Sequence, residues 1–197
     1  MEIDDKALLR RQALKKRNAM SKSEIESKSE LIAKRLMTLP VFEQGGRIFG
    51  YFNTGSEVVT RQLLKKLITA GRTVCLPVAL EDYSMEFYEV RDLEAEVSEG
   101  YKGILEPSGR ALTRQLHPAG GDIMIIPGVA FGRDMYRLGY GKGFYDRYLA
   151  RYPQVYKAAP AFMLQLYESV FPGPEDVSMD CIITEEGILW ADPDRRQ

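Results

Sequence analysis

The chain has 197 residues, about the length of one domain at a typical ~150 residues each, so one domain with one site is expected over residues 1–197. Its 45% hydrophobic and 28% charged residues exclude disordered, collagenous and disulfide-scaffold classes. With 27 basic against 28 acidic residues the net charge is −1, so no global field draws the protein to nucleic acid or an anionic membrane, and any anion site has to be local.

Residues 4–20 and 23–39 read as two helices, because propensity is high, proline is absent until Pro40, and Ser21 with Glu24 forms a capping box. RIFGYF (47–52) is a buried strand. Residues 57–70 form a helix that Gly71 ends, and TVCLP follows as a strand, which makes a β-α-β unit. MEFYEV (85–90) alternates as a strand should, 91–121 is irregular and rich in turn residues, and DIMIIP (122–127) is another buried strand. A glycine-rich loop and the helix FYDRYLARY come next, then strands near 156–163, 181–184 and 188–190. Strands alternating with helices predict an α/β sandwich around a mostly parallel sheet.

Cys75 and Cys181 each lie inside an apolar run, VCLP and DCII, which reads as buried thiols in a reducing compartment and argues against a disulfide or a zinc site. The opening MEIDDK has no apolar core of a secretory signal, and the longest apolar stretch, IMIIPGVAF, is about half a membrane span. A cytoplasmic protein is expected, acting as a monomer on a small molecule, with no nucleic-acid or membrane partner. His117 is the single histidine and precedes Pro118 and Gly120-Gly121 in a loop-like stretch. A Ser-His-Asp or Cys-His enzyme would have to be built on it alone, so the chemistry is expected to need no imidazole.

In an open parallel sheet, ligands bind beyond the carboxyl ends of the strands, which directs attention to the loops after Phe52, Pro77, Pro127 and Thr184. The third of these runs PGVAFGRDMYRLGYGKGFYDRYL. Its centre sets Gly139, Gly141 and Gly143 around Lys142 just before a helix, so close backbone approach, unpaired helix N–H groups and the charges of Lys142 and Arg137 converge on an anion. The pattern is not a Walker loop, because glycine follows Lys142, nor a dinucleotide fingerprint. A flexible turn would share its composition. Asp146 stands where a Mg²⁺ ligand would be useful and equally where a helix start favours an acid. The first helix carries Lys6, Arg10, Arg11, Lys15, Lys16 and Arg17 without an acid among residues 6–17. Most of these read as a solvated face, but Lys6 and Arg10, four residues apart, share a face and could grip one phosphate. In Asn53-Thr-Gly-Ser-Glu57, Glu57 is either a helix-start acid behind a Ser56 or Thr54 cap, or a buried partner for ligand N–H donors.

These residues resemble the 5-formyltetrahydrofolate cyclo-ligase family over nearly the whole chain. The likeness runs from KALLR (6–10) and NAMS (18–21) through the Glu57 helix, Leu76-Pro77, Glu106-Pro107, PGVAF and RLGYGKGFYDRYL to DVSMD (176–180) and IITEEG. PGVAF followed by RLGYGKGFYDRYL is the specific part. The resemblance implies a three-layer α/β/α sandwich, Rossmann-like and akin to sugar-phosphate isomerases and coenzyme A transferases. It also implies conversion of ATP and 5-formyltetrahydrofolate to 5,10-methenyltetrahydrofolate, ADP and phosphate with Mg²⁺. By position, Lys6, Ala7, Leu8, Leu9 and Arg10 with Arg137, Leu138, Gly139, Tyr140, Gly141, Lys142, Gly143, Phe144 and Tyr145 would bind ATP. Lys142, Arg137 and Arg10 would act in catalysis, and Asp146 and Asp180 would hold the metal. Phe52, Glu57, Tyr140, Gly141, Lys142, Gly143 and Phe144 would contact the folate, with Gln165 bordering the pocket. Three positions depart from the family pattern: Gly132 replaces a common Asp, Tyr136 a common polar or glycine turn residue, and Glu175 a frequent His.

Two other readings stay open on the sequence. One is a sugar-phosphate isomerase or coenzyme A transferase of the same fold, since fold does not set function. The other is a non-catalytic folate- or nucleotide-binding relative, which should have lost an ATP or metal residue, whereas Lys6, Arg10, Lys142, Asp146 and Asp180 are all present.

Overall fold

A computed structural model describes residues 2–100 and 103–192. The helical pair is α1 (Glu2–Asn18) and α2 (Lys22–Leu36). The capping box between them forms as expected: the Glu24 N–H donates to Ser21 Oγ at 3.2 Å, and the Ser21 N–H donates to Glu24 Oε2 at 2.8 Å. α2 stops short of Leu39 because Pro40 opens a separate turn, α3 (Pro40–Glu43), as proline does at a first helical position.

The remaining elements are β1 (Ile48–Phe49), α4 (Arg61–Thr69), β2 (Val74–Ala79), β3 (Met85–Val90), β4 (Val97–Glu99), β5 (Leu105–Pro107), β6 (Gln115–Leu116) and β7 (Ile123–Ile125). After these come β8 (Ala130–Gly132), β9 (Arg137–Leu138), α5 (Phe144–Arg151), β10 (Tyr156–Pro160), β11 (Leu166–Tyr167), β12 (Cys181–Ile183) and β13 (Ile188–Trp190). The main sheet runs β13-β12-β10-β7-β1-β2-β3-β6. Its five central strands, β12 to β2, are parallel, and antiparallel partners close both edges.

Strand alternation sends one set of side chains to each face. Ile48, Val74, Leu76, Ile123, Ile125 and Ile183 pack with Ile32 and Leu36 of α2, Phe42 of α3, and Leu64 and Leu67 of α4. Phe49, Cys75, Met124, Ile126, Ala159 and Ile182 pack with Tyr148 and Leu149 of α5. The result is a helix-sheet-helix sandwich whose buried Leu, Ile and Phe side chains each contribute about 1.5–3 kcal/mol. Cys75 and Cys181 are free and buried in it, and burial pushes both thiols up to about 12.

α1 belongs to neither layer. Leu9 and Ala13 bury against Val129, Ala130, Leu138 and Val170, over a small sheet in the order β11-β8-β9. Two segments hold more structure than the sequence offers: 91–121 contains the β4/β5 hairpin and β6, and the glycine-rich loop contains the β8/β9 hairpin. Strands of two or three residues leave no periodic signature to read.

The amino ends of β1 and β7 are tied by one ion pair. Asp122 accepts from the Arg47 side chain at 2.6 Å and from the backbone N–H groups of Arg47 at 2.8 Å and Ala119 at 2.7 Å. Burial alone would raise the Asp122 carboxyl, but the Arg47 guanidinium and the two N–H donors outweigh it and hold the group below its ordinary value. A lowered folded value means stabilisation present above the unfolded value near ~3.9 and lost as pH falls through the folded one. Asp122→Asn is therefore expected to lower stability by about 2 kcal/mol at neutral pH, less than a fully buried pair because Arg47 is partly exposed. Urea unfolding followed between pH 7 and 3 should show the variant and the parent converging at the acid end.

Candidate active site

β7 ends at the carboxyl edge of the sheet, and the chain then makes the β8/β9 hairpin, the glycine loop and α5 before returning to β10. The glycine loop therefore sits at the edge where parallel sheets bind ligands. Gly143 is the N-cap of α5 with φ +68°, the left-handed region, and a Cβ there would lie 2.9 Å from Arg147 Nη1. No side-chain hydrogen bond caps this helix start, and the positive end of its dipole faces the glycine loop. Gly132, the departure in the hairpin turn, is explained locally: a Cβ there would collide with the Asp134 carboxylate. That carboxylate accepts from Ser169 Oγ at 2.6 Å.

The cations of the sequence pattern converge on this loop. Arg10 donates from Nε to the Gly139 carbonyl at 2.8 Å, so α1 clamps the loop backbone. Lys6 pairs with Asp176 at 2.6 Å, and Asp176 also accepts from the Gly173 N–H at 2.7 Å. Burial works to raise the Asp176 carboxyl, but Lys6 and the N–H donor bring it below its usual range. Arg137, buried, donates from Nη1 to Asp146 Oδ1 at 2.8 Å, and that oxygen also accepts from the Val177 N–H at 3.2 Å. The Arg137 Nε is buried without a hydrogen-bond partner. Lys142 is exposed, its ammonium 4.7 Å above the ring of Tyr83. Arg147 donates to the carbonyls of Tyr83 and Lys142, which ties the β2–β3 turn to the loop.

Glu57 is the buried carboxylate at the other side of the same edge, 6% exposed. The Thr54 N–H donates to its Oε2 at 2.9 Å, and the Tyr140 hydroxyl donates to its Oε1 at 3.0 Å. Burial pushes the Glu57 carboxyl above its ordinary range, against the opposing effects of the Thr54 N–H, Arg17 and Tyr140. Tyr140 keeps its ring about half exposed while its hydroxyl is held down. The glycine loop is thereby latched to Glu57.

Of the other expected residues, Phe52 is buried in the core beside the Glu57 loop, and Tyr145 packs its ring under the Arg137 guanidinium at 5.6 Å. Gln165 is buried and donates to the carbonyls of Gly128 and Val129 at 3.1 and 3.0 Å, bracing the turn that leaves β7. Asp180 is placed elsewhere. It precedes β12, at the amino ends of the strands, where it accepts from the Lys157 N–H at 2.8 Å and pairs with the Lys157 ammonium at 3.0 Å. The structure does not bring it to Asp146. His117 also lies away from the loop, next to Glu86 and stacked on Tyr152.

Arg17 and Tyr83 are site neighbours that the sequence reading passes over. Arg17, assigned to a solvated face, is buried, and only Arg11, Lys15 and Lys16 of that basic run are fully exposed. The spacing held the information: Lys6, Arg10, Ala13 and Arg17 recur at helical intervals on one face. Tyr83 sits in a turn at φ +62°, in a segment whose only visible content is turn residues.

The fold and the site define a three-layer α/β protein whose glycine loop is latched to a buried carboxylate at the carboxyl edge of its sheet. The family model described as the 5-formyltetrahydrofolate cyclo-ligase family matches residues 2–185, and the chain belongs to that family of enzymes. A probable 5-formyltetrahydrofolate cyclo-ligase of Schizosaccharomyces pombe is 30% identical, covering 80% of this chain and 84% of the relative. The 5-formyltetrahydrofolate cyclo-ligase of Escherichia coli K12 is 32% identical over 77% of this chain and 85% of its own. Among solved structures, the 5,10-methenyltetrahydrofolate synthetase of Aquifex aeolicus superposes with a TM-score of 0.83 at 30% identity, covering 95% of this chain and 93% of that one. The three-layer expectation drawn from the resemblance holds.

The Glu57 carboxyl is expected to titrate above the ordinary glutamate value near ~4.3. Tyr140→Phe should move it higher still, because one donor to the charged form is removed. Carbon-13 NMR of labelled glutamate side chains reads both shifts. An ordinary value in the parent, or no upward movement in the variant, would contradict the latch.

Proposed function

We propose that this chain converts ATP and 5-formyltetrahydrofolate to 5,10-methenyltetrahydrofolate, ADP and phosphate. The observation that carries the reading is the Tyr140–Glu57 hydrogen bond, which joins the glycine loop, read here as a phosphate cradle, to a buried carboxylate.

An N-formyl group is an amide, and resonance makes its carbon a poor electrophile for the neighbouring amine. The formyl oxygen attacks the γ-phosphorus, ADP leaves, and the formyl oxygen becomes part of a leaving phosphate. The amine nitrogen then adds to the carbon and gives up its proton, and inorganic phosphate departs with the former formyl oxygen. The attacking oxygen carries no proton, so the first step needs no strong base, and the protein's work is positioning and charge neutralisation. This suits a chain whose one histidine lies elsewhere.

The roles follow the geometry. The α5 start, Lys142 and Arg137 hold the transferring phosphoryl group, Arg10 fixes the loop that carries them, and Lys6 stands beside Asp176 as a further phosphate partner. Leu9, buried in the small core, places these α1 side chains, while Leu8 is exposed. Arg137 and Lys6 each have a carboxylate for a partner, so phosphate oxygens would replace like with like. Glu57 accepts from pterin-type N–H groups, the exposed ring of Tyr140 and Phe144 form aromatic walls, and Phe52 backs the slot from the core.

Mg²⁺ fits Asp146, a partly exposed first-turn carboxylate beside the cradle, because this ion is commonly held by one or two carboxylates plus substrate phosphates. Bound there, it would offset charge on the phosphoryl group. Among the described residues no three His, Cys, Asp or Glu form a cluster, so phosphate oxygens would complete such a site. Asp180, at the amino edge, is paired with Lys157 and is given no metal role in this reading. One chain supplies every named group, which supports a monomeric single-domain enzyme. No helix among the described residues is long and apolar enough to cross a membrane, and a cytoplasmic setting is consistent with two free buried thiols.

With purified protein, 5-formyltetrahydrofolate and Mg²⁺, absorbance in the methenyl product's near-ultraviolet band should rise only when ATP is added. Folate that binds without any rise would favour a binding relative instead. Lys142→Ala is expected to lower kcat about 10²–10³-fold with the folate KM within a few-fold, the pattern of a group acting on developing charge. Glu57→Gln should do the reverse, raising the folate KM about tenfold with a smaller change in kcat. In the parent, folate affinity should fall as pH drops through the raised Glu57 value, because the protonated carboxyl no longer accepts two N–H donors; isothermal titration across pH 4–8 reads this.

A further inference from the structure

α1 delivers a guanidinium to a place where the Glu57 loop, the turn after β7 and the glycine loop meet. Arg17 is 2% exposed, and its donors end on three different segments. Nε donates to Ser56 Oγ at 3.0 Å in the Glu57 loop, Nη1 to the Gly128 carbonyl at 3.1 Å beyond β7, and Nη2 to the Tyr140 hydroxyl at 2.7 Å in the glycine loop. Tyr140 in turn donates to Glu57, so Arg17 reaches its buried counter-charge through one hydroxyl. A buried guanidinium is stable only with its N–H groups satisfied, and a planar fork meets three fixed acceptors that a lysine point charge does not.

We propose that Arg17 is a positioning residue for the reaction, holding Tyr140 by its hydroxyl so that the nucleotide cradle and the folate-binding carboxylate are set by one buried side chain. The proposal rests on the reading of the site given above for its catalytic consequence, but not for its mechanical one. The hydroxyl that accepts from Arg17 has its proton directed to Glu57, which orients both partners. Loosening Arg17 or Tyr140 frees the glycine loop and the Glu57 loop together. Arg17→Lys and Tyr140→Phe both break the Arg17–Tyr140 contact that joins the two loops, and Arg17→Lys also loosens the direct hold on Ser56 and Gly128.

The test uses Arg17→Lys, Tyr140→Phe and the double variant. Hydrogen exchange on the full chain without substrates should show amides of 54–57 and 139–143 exchanging about tenfold faster in both single variants, with β7 unchanged. The double variant should be no faster than the faster single. Acceleration in only one loop, acceleration throughout the core, or effects that multiply in the double variant would each overturn the proposal. In kinetics, both single variants should raise the KM values of ATP and folate together and lower kcat, again without multiplying. A change confined to one substrate also overturns it. If Arg17→Lys does not fold, Tyr140→Phe, which leaves the Arg17 bonds to Ser56 and Gly128 in place, should still speed exchange in both 139–143 and 54–57, and unchanged exchange in either would overturn the proposal. If the parent protein shows no ATP-dependent product, the functional reading fails, and the exchange result still decides the role of Arg17.

Discussion

Glu57 is a carboxylate kept almost wholly out of water, and the rest of the site is arranged around that constraint. Burial disfavours its charge, and only the Thr54 N–H, the Tyr140 hydroxyl and the nearby Arg17 oppose it. Each of these comes from a different part of the chain: the loop after β1, the glycine loop and the far end of α1. A single buried charge thus requires three segments to meet, and that meeting brings the glycine loop to the Glu57 loop.

The sheet supplies the fixed platform for it. Five parallel strands end at one edge, and β1 and β7 are neighbours in register, so the Glu57 loop and the glycine loop leave the sheet side by side. α1 does not contribute to the sandwich. Its packing on the β8/β9 hairpin instead fixes the loop from outside, with Leu9 and Ala13 as the apolar contact and Arg10 and Arg17 as the polar ones. A helix with so little apolar surface is held by the site as much as the site is held by it.

The parts of this arrangement that were legible in the sequence are those with a strong local pattern. MEFYEV forms a strand over the span its alternation indicates, and the apolar runs around Ile48, Val74, Ile123 and Cys181 become the central parallel strands. The place of the glycine loop before α5 was also readable, and Arg10 meets that loop at the Gly139 carbonyl, whereas Lys6 pairs with Asp176. The β8/β9 hairpin was not, since two- and three-residue strands are specified by their partners. Arg17 looked like one more basic residue on a polar helix, and only its tertiary neighbours distinguish it from Lys16. Asp180 shows the opposite case. It lies directly before a parallel strand, at the amino edge, where it pairs with Lys157, a partner that the sequence pattern does not indicate.

The proposed reaction rests on charge neutralisation and orientation without a strong base, and its central step is phosphorylation of the formyl oxygen. The direct measurement is the fate of that oxygen, followed with 5-formyltetrahydrofolate carrying oxygen-18 in the formyl group during turnover with ATP. The account predicts that the label is recovered in inorganic phosphate, in step with methenyl product. Label found in water, with unlabelled phosphate released, would contradict phosphoryl transfer to the formyl oxygen as the chemistry this cleft performs.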